Sequence, residues 1–474
     1  MLYVLPIMLA DRYYNDDISR SLLGVSGWIG DGRPLTEFIM IFINFGRPLA
    51  DISPLPLILS AFFLAFAITS YITVKLPDAD ISPLLVYAGA LVMFNPFLLP
   101  CLSYKFDCLT MVLSICLSFA IHCVSFKKII PGILLHFAAS LAILCLFQPS
   151  IGLYAALFVM EIFLFVVTGK DGIGKLIRTL SAYAVGGAAG ILCYLAAIAP
   201  ATVDKKGWRA EASKMDFSPE SLKDQSVNII NIFMRYCSGL TKSLLIPLIL
   251  FIVLALTALI MFCKEKNTGA KKCVLSVILL FITPFCLLFV SVLPLLFLNS
   301  IGKSDHMLTG FCVVMLFFGL AASFSRGMLK KALIIIMIPC IIFNYSYAFS
   351  YGNALKCQKE YEDFVIRDVA EDIQKADPDR ECEKIVLTGS MPKCRELKLL
   401  CDKYPQFSAI VPVYMFEENW IGTAPLNHYL QQQLMWNEIS DEDRDYIKNN
   451  RPFSSNSVYR LYRRESSIIL CFDR

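Results

Sequence analysis

Long apolar runs separated by short polar breaks fill the first three quarters of the chain. Ten of these runs are long enough to cross a bilayer as helices: 52–74, 81–99, 107–126, 129–147, 150–168, 177–199, 240–262, 273–297, 307–324 and 332–350. The apolar start from Met1 to Ala10 is too short to span. It is expected to be the end of a first, incomplete membrane helix whose apolar residues continue upstream in the gene, bringing the count to about eleven. Between this start and the first complete span lies a polar stretch, 11–51, in which Thr36 to Phe45 has the pattern of a helix lying on the bilayer surface and Trp28 that of an interfacial anchor.

From Tyr351 onward the pattern changes to that of a water-soluble unit. Gln358 to Ala376 has helical spacing with many charges, Lys384 to Gly389 reads as a buried strand ending in a turn, and Ser457 to Tyr462 and Ser467 to Phe472 read as late strands. The predicted organisation is therefore a transmembrane domain, 1–350, followed by a small α/β domain, 351–474. Positive residues orient it. Lys127 and Lys128, then Lys170, Lys175 and Arg178, then Lys264, Lys266, Lys271 and Lys272, then Arg326, Lys330 and Lys331 occupy every second short loop, which marks those loops as cytoplasmic. The loops 11–51, 100–106, 148–149, 200–239 and 298–306, and the carboxyl-terminal domain, then face outward. The loop 200–239, with Lys206, Trp208 and Arg209, is longer than a connector needs to be.

Composition agrees. With 57% hydrophobic and 17% charged residues and a mean hydropathy of +0.61, the chain is a polytopic membrane protein, and a net charge of +4 spread along it gives no footprint for nucleic acid. Most cysteines lie in apolar runs, where a thiol is a small core hydrophobe. The outer five, Cys357, Cys382, Cys394, Cys401 and Cys471, are odd in number and leave disulfide pairing open.

Candidate chemistry gathers in the first polar stretch, Tyr13-Tyr14-Asn15-Asp16-Asp17-Ile18-Ser19-Arg20. Adjacent carboxylates raise each other's pKa, whereas Arg20, one helical turn from Asp17, is expected to lower it, leaving one carboxylate ionised as a base. Capping of a surface helix is the plainer alternative. This motif, the paired Gly-Arg-Pro-Leu segments at 32–35 and 46–49, Asp51-Ile52-Ser53-Pro54-Leu55, Asn95-Pro96-Phe97, Leu102-Ser103-Tyr104-Lys105-Phe106-Asp107 and Gln148-Pro149-Ser150 together resemble the bacterial Gtr type II glucosyltransferase family, of the GT-C kind. The likeness covers nearly the whole chain, apart from the short first helix.

The resemblance implies a multi-pass protein of the bacterial inner membrane that transfers glucose, with inversion, from a polyprenyl-phosphate donor to an envelope polysaccharide such as O-antigen on the outer face. Asp16 or Asp17 is the expected base. Arg20, Arg33, Arg47, Lys105, Lys303 and His306, all on outer loops, are the expected partners of the donor phosphate, with snorkelling to lipid headgroups as the alternative for each. Asn95 and Gln148 are candidates for sugar hydroxyls or for helix-end hydrogen bonds. Asp51 and Asp107 are candidates for support of the acidic pair or for capping the spans that follow them. No cofactor is required, although related enzymes use a divalent metal (Mg or Mn) at the acidic motif. The rival classes are a transporter or flippase for lipid-linked glycans, which would need ionisable residues within its spans, where Glu161 and His136 are the main cases, and a histidine-based acyltransferase or ligase.

Overall fold

The computed structural model describes residues 1–169, 172–205, 211, 214–240, 242–266, 270–299, 305–416, 420–430 and 432–472. Among these, eight helices are long and apolar enough to cross a membrane: Leu55–Lys75, Ile129–Leu146, Ser150–Thr168, Ile173–Thr202, Leu244–Glu265, Val277–Leu296, Asp305–Ser323 and Gly327–Ala376. Cys108–His122 and Pro83–Met93 are apolar but shorter. The predicted run 81–99 is not one helix. Pro83–Met93 stops before Asn95-Pro96, and Leu98–Ser103 resumes after it, because proline lacks an N–H and pushes the residue before it out of the helical region. Asn95, fully buried, secures the break: its amide accepts from the Phe97 N–H at 3.3 Å and donates to the Thr309 carbonyl at 3.1 Å.

The helices pair closely, Ile129–Leu146 with Ile173–Cys193 and Leu55–Lys75 with Cys108–His122. Small residues permit this in the first pair. A Cβ at Gly190 would stand 2.0 Å from Ser140 Oγ, so only glycine allows the backbones so near. Loops assigned to one side by their charges do meet at one end of the bundle: 11–51 touches 100–106 through Asp17 and the Lys105 N–H, and 148–149 through Arg33 and Gln148.

Within the long loop 200–239, Pro219–Ser238 is an amphipathic helix begun by Ser218, whose side chain accepts from the Ser221 N–H, and it buries Ile229, Ile232 and Tyr236 against Phe97 and Leu308. Lys206, Trp208 and Arg209 lie outside the described residues. The run 36–45 is helical as Pro34–Ile43, with Phe38 and Phe42 exposed on one face and Thr36, Glu37 and Met40 buried on the other.

Gly327–Ala376 is one continuous helix of 50 residues, and the expected domain boundary at 350 falls inside it. Its last turns, with Val365, Ile366, Val369 and Ile373, cover a five-stranded sheet ordered β2-β1-β5-β4-β3. The strands are β1 (Lys384–Thr388), β2 (Met435–Asn437), β3 (Ser454–Ser455), β4 (Arg460–Arg464) and β5 (Ser467–Cys471); β1 runs parallel to β2 and β5, and β4 antiparallel to β3 and β5. The five cysteines of this region are free thiols.

Candidate active site

The segment before the first complete span folds back on itself at Asn15, which adopts a left-handed φ of 50° and feeds the short helix Asp17–Leu23. The two aspartates separate here. Asp17 points inward and is fully buried; its Oδ2 accepts from the N–H groups of Tyr14 at 3.0 Å and Lys105 at 2.7 Å, and its Oδ1 from that of Phe106 at 3.2 Å. It staples the first loop to the loop before Cys108. Burial, followed by the charge of Asp107, pushes the Asp17 carboxyl up to about 7, against the pull of those N–H groups and Arg20. The expected lowering by Arg20 is present but outweighed by burial and by the charge of Asp107. Asp16 stands at the helix start with its side chain 31% exposed and 3.7 Å from the Arg20 guanidinium.

Arg20 donates to Asp107 Oδ2 at 2.6 Å. Asp107 occupies the capping position of Cys108–His122 yet makes no side-chain cap. Its second oxygen accepts from the Trp28 indole N–H at 2.7 Å and lies 3.6 Å from Arg33. Trp28 is correspondingly no interfacial anchor: it is fully buried, with the Arg20 guanidinium 4.5 Å above its ring. Two guanidiniums on one buried carboxylate form a rigid hub, and both are also held from their far sides. Arg33 Nε donates to Gln148 Oε1 at 3.0 Å and packs over the Phe147 ring, while Gln148 Nε2 donates to the Asp31 carbonyl and the Tyr194 hydroxyl. The turn delivering Arg33 needs glycine at 32, where φ is 74° and a Cβ would meet Tyr194 Oη at 2.5 Å.

An aromatic rim continues from this hub. His306 stacks on Phe147 and meets the edge of Tyr104, whose hydroxyl accepts from Asn15 Nδ2 at 3.0 Å. Asp16, Arg20, Arg33, Asp107, Gln148 and His306 thus belong to one neighbourhood. Lys105 lies beside it in a second group. Its ammonium bonds Asp11, sits 3.4 Å from Asp51, and lies over the Tyr13 ring; burial, which disfavours its charge, is outweighed by Asp11 and Asp51, so its pKa is raised. Asp51 in turn accepts from Tyr13 Oη and the Ser53 N–H. Arg47 is brought to neither group: it is more than half exposed and pairs with Glu37, which also bonds Ser26. Asn95 is spent within the fold, as above, and Lys303 lies outside the described residues.

The carboxyl-terminal residues hold the acidic loop in place, which no pattern in the sequence foretold. Arg12 pairs with Glu362 at 2.7 Å and donates to the Pro412 carbonyl, Tyr14 Oη donates to the Ile410 carbonyl, and the Tyr414 hydroxyl accepts from the Asn15 N–H and donates to the Tyr13 carbonyl. Tyr104 and Tyr414 escaped sequence reading because their partners lie far along the chain; the only local signal was that Tyr104 adjoins Lys105 in a recognisable motif. Among the described residues no three histidine, cysteine or acidic side chains converge as a metal-binding group. Asp17 and Asp107 are committed to N–H donors and guanidiniums, so these residues do not form a metal's donor set.

The family profile described as glucosyl transferase GtrII matches residues 5–301, a stretch that contains the whole of this neighbourhood up to Gln148. An uncharacterized 55.3 kDa protein in the gtrB 5' region of Salmonella phage P22 is 27% identical over 469 residues, covering 98% of this chain and 90% of the phage protein. No solved structure matches the chain significantly.

Proposed function

The chain belongs to the GtrII glucosyl transferase family, and from that premise we propose that this membrane glycosyltransferase moves glucose from a polyprenyl-phosphate donor to an envelope polysaccharide on the extracytoplasmic face of the bacterial inner membrane, with Asp16 as its base. The observation that carries the reading is the division of labour between the two aspartates. Asp17 has all its hydrogen bonds inside the fold, whereas Asp16 is partly exposed at the edge of the Arg20–Asp107–Arg33 hub.

In the proposed reaction the acceptor hydroxyl attacks the anomeric carbon from the face opposite the phosphate, and Asp16 takes its proton. The new C–O bond forms as the bond from that carbon to the phosphate oxygen breaks, inverting the configuration. The phosphodiester monoanion leaves as a phosphate monoester dianion, so a second negative charge develops at the leaving group. Fixed cations are most effective where charge develops, because they need no reorganisation. Arg20 and Arg33, each braced by Asp107 and an aromatic ring, are preorganised for that task, and His306 and Lys105 flank it. Gln148, which fixes Arg33, acts as a positioning residue.

Membranes containing the chain, supplied with radiolabelled polyprenyl-phosphate glucose, are expected to label an envelope polysaccharide. Absence of label at confirmed expression would overturn the proposal, and label appearing in the lipid fraction on the opposite leaflet would favour a flippase.

A further inference from the structure

A cleft of about 550 Å³ opens between the helix that follows Asp16 and the carboxyl-terminal unit. Ser19 and Leu22 form one wall, and Asn427, His428, Gln433 and Trp436 form much of the other. From these residues we infer that the cleft is the seat of the acceptor polysaccharide, with Trp436 as the platform for one of its sugar rings; the inference rests on the glycosyltransferase reading above.

The chemistry of the walls selects the ligand. No aspartate, glutamate, lysine or arginine lines the cleft among the described residues, whereas the fixed cations suited to a phosphate stand at the Asp107 hub. A neutral groove of amides, hydroxyls and apolar faces matches a hydroxyl-rich chain whose rings have C–H faces and polar edges. Trp436 lies on β2, the edge strand of the sheet, and its indole N–H is buried and without a partner. The wall that carries Trp436 is rigid: Asn427 donates to the Leu434 carbonyl at 3.1 Å and accepts from the Leu434 N–H at 3.0 Å, and Gln432 donates to the Cys382 carbonyl at 2.6 Å. The opposite wall belongs to the catalytic helix itself. Ser19 donates its hydroxyl proton to the Asp16 carbonyl at 3.0 Å, so a chain lying in the cleft runs along the same turn as the proposed base.

The test uses the full chain in detergent, with delipidated envelope polysaccharide from the strain that carries the gene as probe, in calorimetric titration and in transfer assays. Trp436→Ala is expected to raise the polysaccharide Kd and the acceptor KM about tenfold, the scale of losing one aromatic anchor, while kcat at saturating acceptor and the donor KM stay within about twofold. Asp16→Asn is expected to bind polysaccharide like wild type, since it alters the chemistry and not the cleft. Ala424→Trp fills the cleft from a partly exposed position and is expected to abolish binding; it decides the matter if Trp436→Ala fails to fold. Wild-type Kd in both cleft variants, or no binding by the wild-type chain, would overturn the inference. Polysaccharide binding by wild type that the cleft variants lose, without any transfer of glucose, would uphold the cleft and remove the transferase reading instead.

Discussion

The helix Cys108–His122 carries a buried carboxylate cluster at each end, and the two differ instructively. At its start Asp107 is held by Arg20, Arg33 and Trp28. At its end His122 Nδ1 lies 3.2 Å from Glu161, which accepts there, Glu161 also takes Lys75 at 2.6 Å, and the far nitrogen of His122 is occupied by the Tyr183 hydroxyl, which reaches the Tyr154 carbonyl as well. Both clusters join helices distant in sequence, and both would be strongly destabilised by loss of one partner. Only the first has a partly exposed carboxylate, Asp16, set against its cations, with an aromatic rim and a cleft beside it. The second closes on itself. A buried ion pair is thus no sign of a site; a group left facing outward across it is.

The sharpest way to break this comparison is at Asp16. Asp16→Asn keeps size and hydrogen bonding but cannot accept a proton, and turnover is expected to fall about a hundredfold to ten-thousandfold with thermal stability unchanged. Transfer near the wild-type level in membranes of matched expression would make the first cluster as purely structural as the second. Arg20→Ala should follow in size. It strips Asp107 of its nearest cation, and a cost of about 3–5 kcal/mol in stability is expected together with a raised donor KM. Lysine at 20 should restore stability better than donor use, because it lacks the guanidinium fork that faces Asp107 and Asp16 together. A donor KM unmoved in both variants would detach Arg20 from the phosphate.

At the other end, Glu161→Gln is expected to lower stability by about 1–3 kcal/mol, as its bonds to Lys75 and His122 lose their charge, while turnover per folded molecule stays unchanged. A collapse of turnover at normal stability would assign the second cluster a working role and favour a carrier. The smallest effect is in pH dependence. Asp17 has a folded pKa of about 7 against 3.8 for the free group, so the folded state holds its proton more tightly. Its contribution is fully present below about pH 3.8 and is lost as pH rises through about 7. Asp17→Asn carries no such slope and misplaces a donor toward the Phe106 N–H, so wild type should exceed it in Tm by more at pH 5 than at pH 8. A gap that is constant or widens with pH would contradict the buried placement of this carboxyl.

Much of the fold was legible because its signals are local. A run of apolar residues must bury or meet lipid wherever it falls, so the spans 52–74, 129–147 and 150–168 appear within a few residues as Leu55–Lys75, Ile129–Leu146 and Ser150–Thr168. The strand at 384–389 and the late pair near 460 and 470 were readable for the same reason, whereas β2 and β3, of three and two residues, are too short to carry a period. The run 81–99 misled because average hydropathy ignores a single proline.

The amino-acid sequence by itself determined that the chain carries many helices apolar enough to cross a membrane, and that its acidic motif and paired Gly-Arg-Pro-Leu segments resemble those of a glucosyltransferase family. It could not distinguish Asp16 from Asp17, because neighbours in a turn share composition and charge yet point in different directions. Their surroundings are separated by the tertiary structure, which brings the Lys105 and Phe106 N–H groups to Asp17 from 88 and 89 residues away and turns Arg20 toward Asp107, 87 residues distant. It was likewise the tertiary structure that removed Trp28 from the interface, tied the acidic loop to Glu362 and Tyr414, and set Trp436 across a cleft from Ser19. Hydrogen bonds and ion pairs depend on positions in space to within a few tenths of an ångström, and between segments so far apart those positions exist only once the helices have packed.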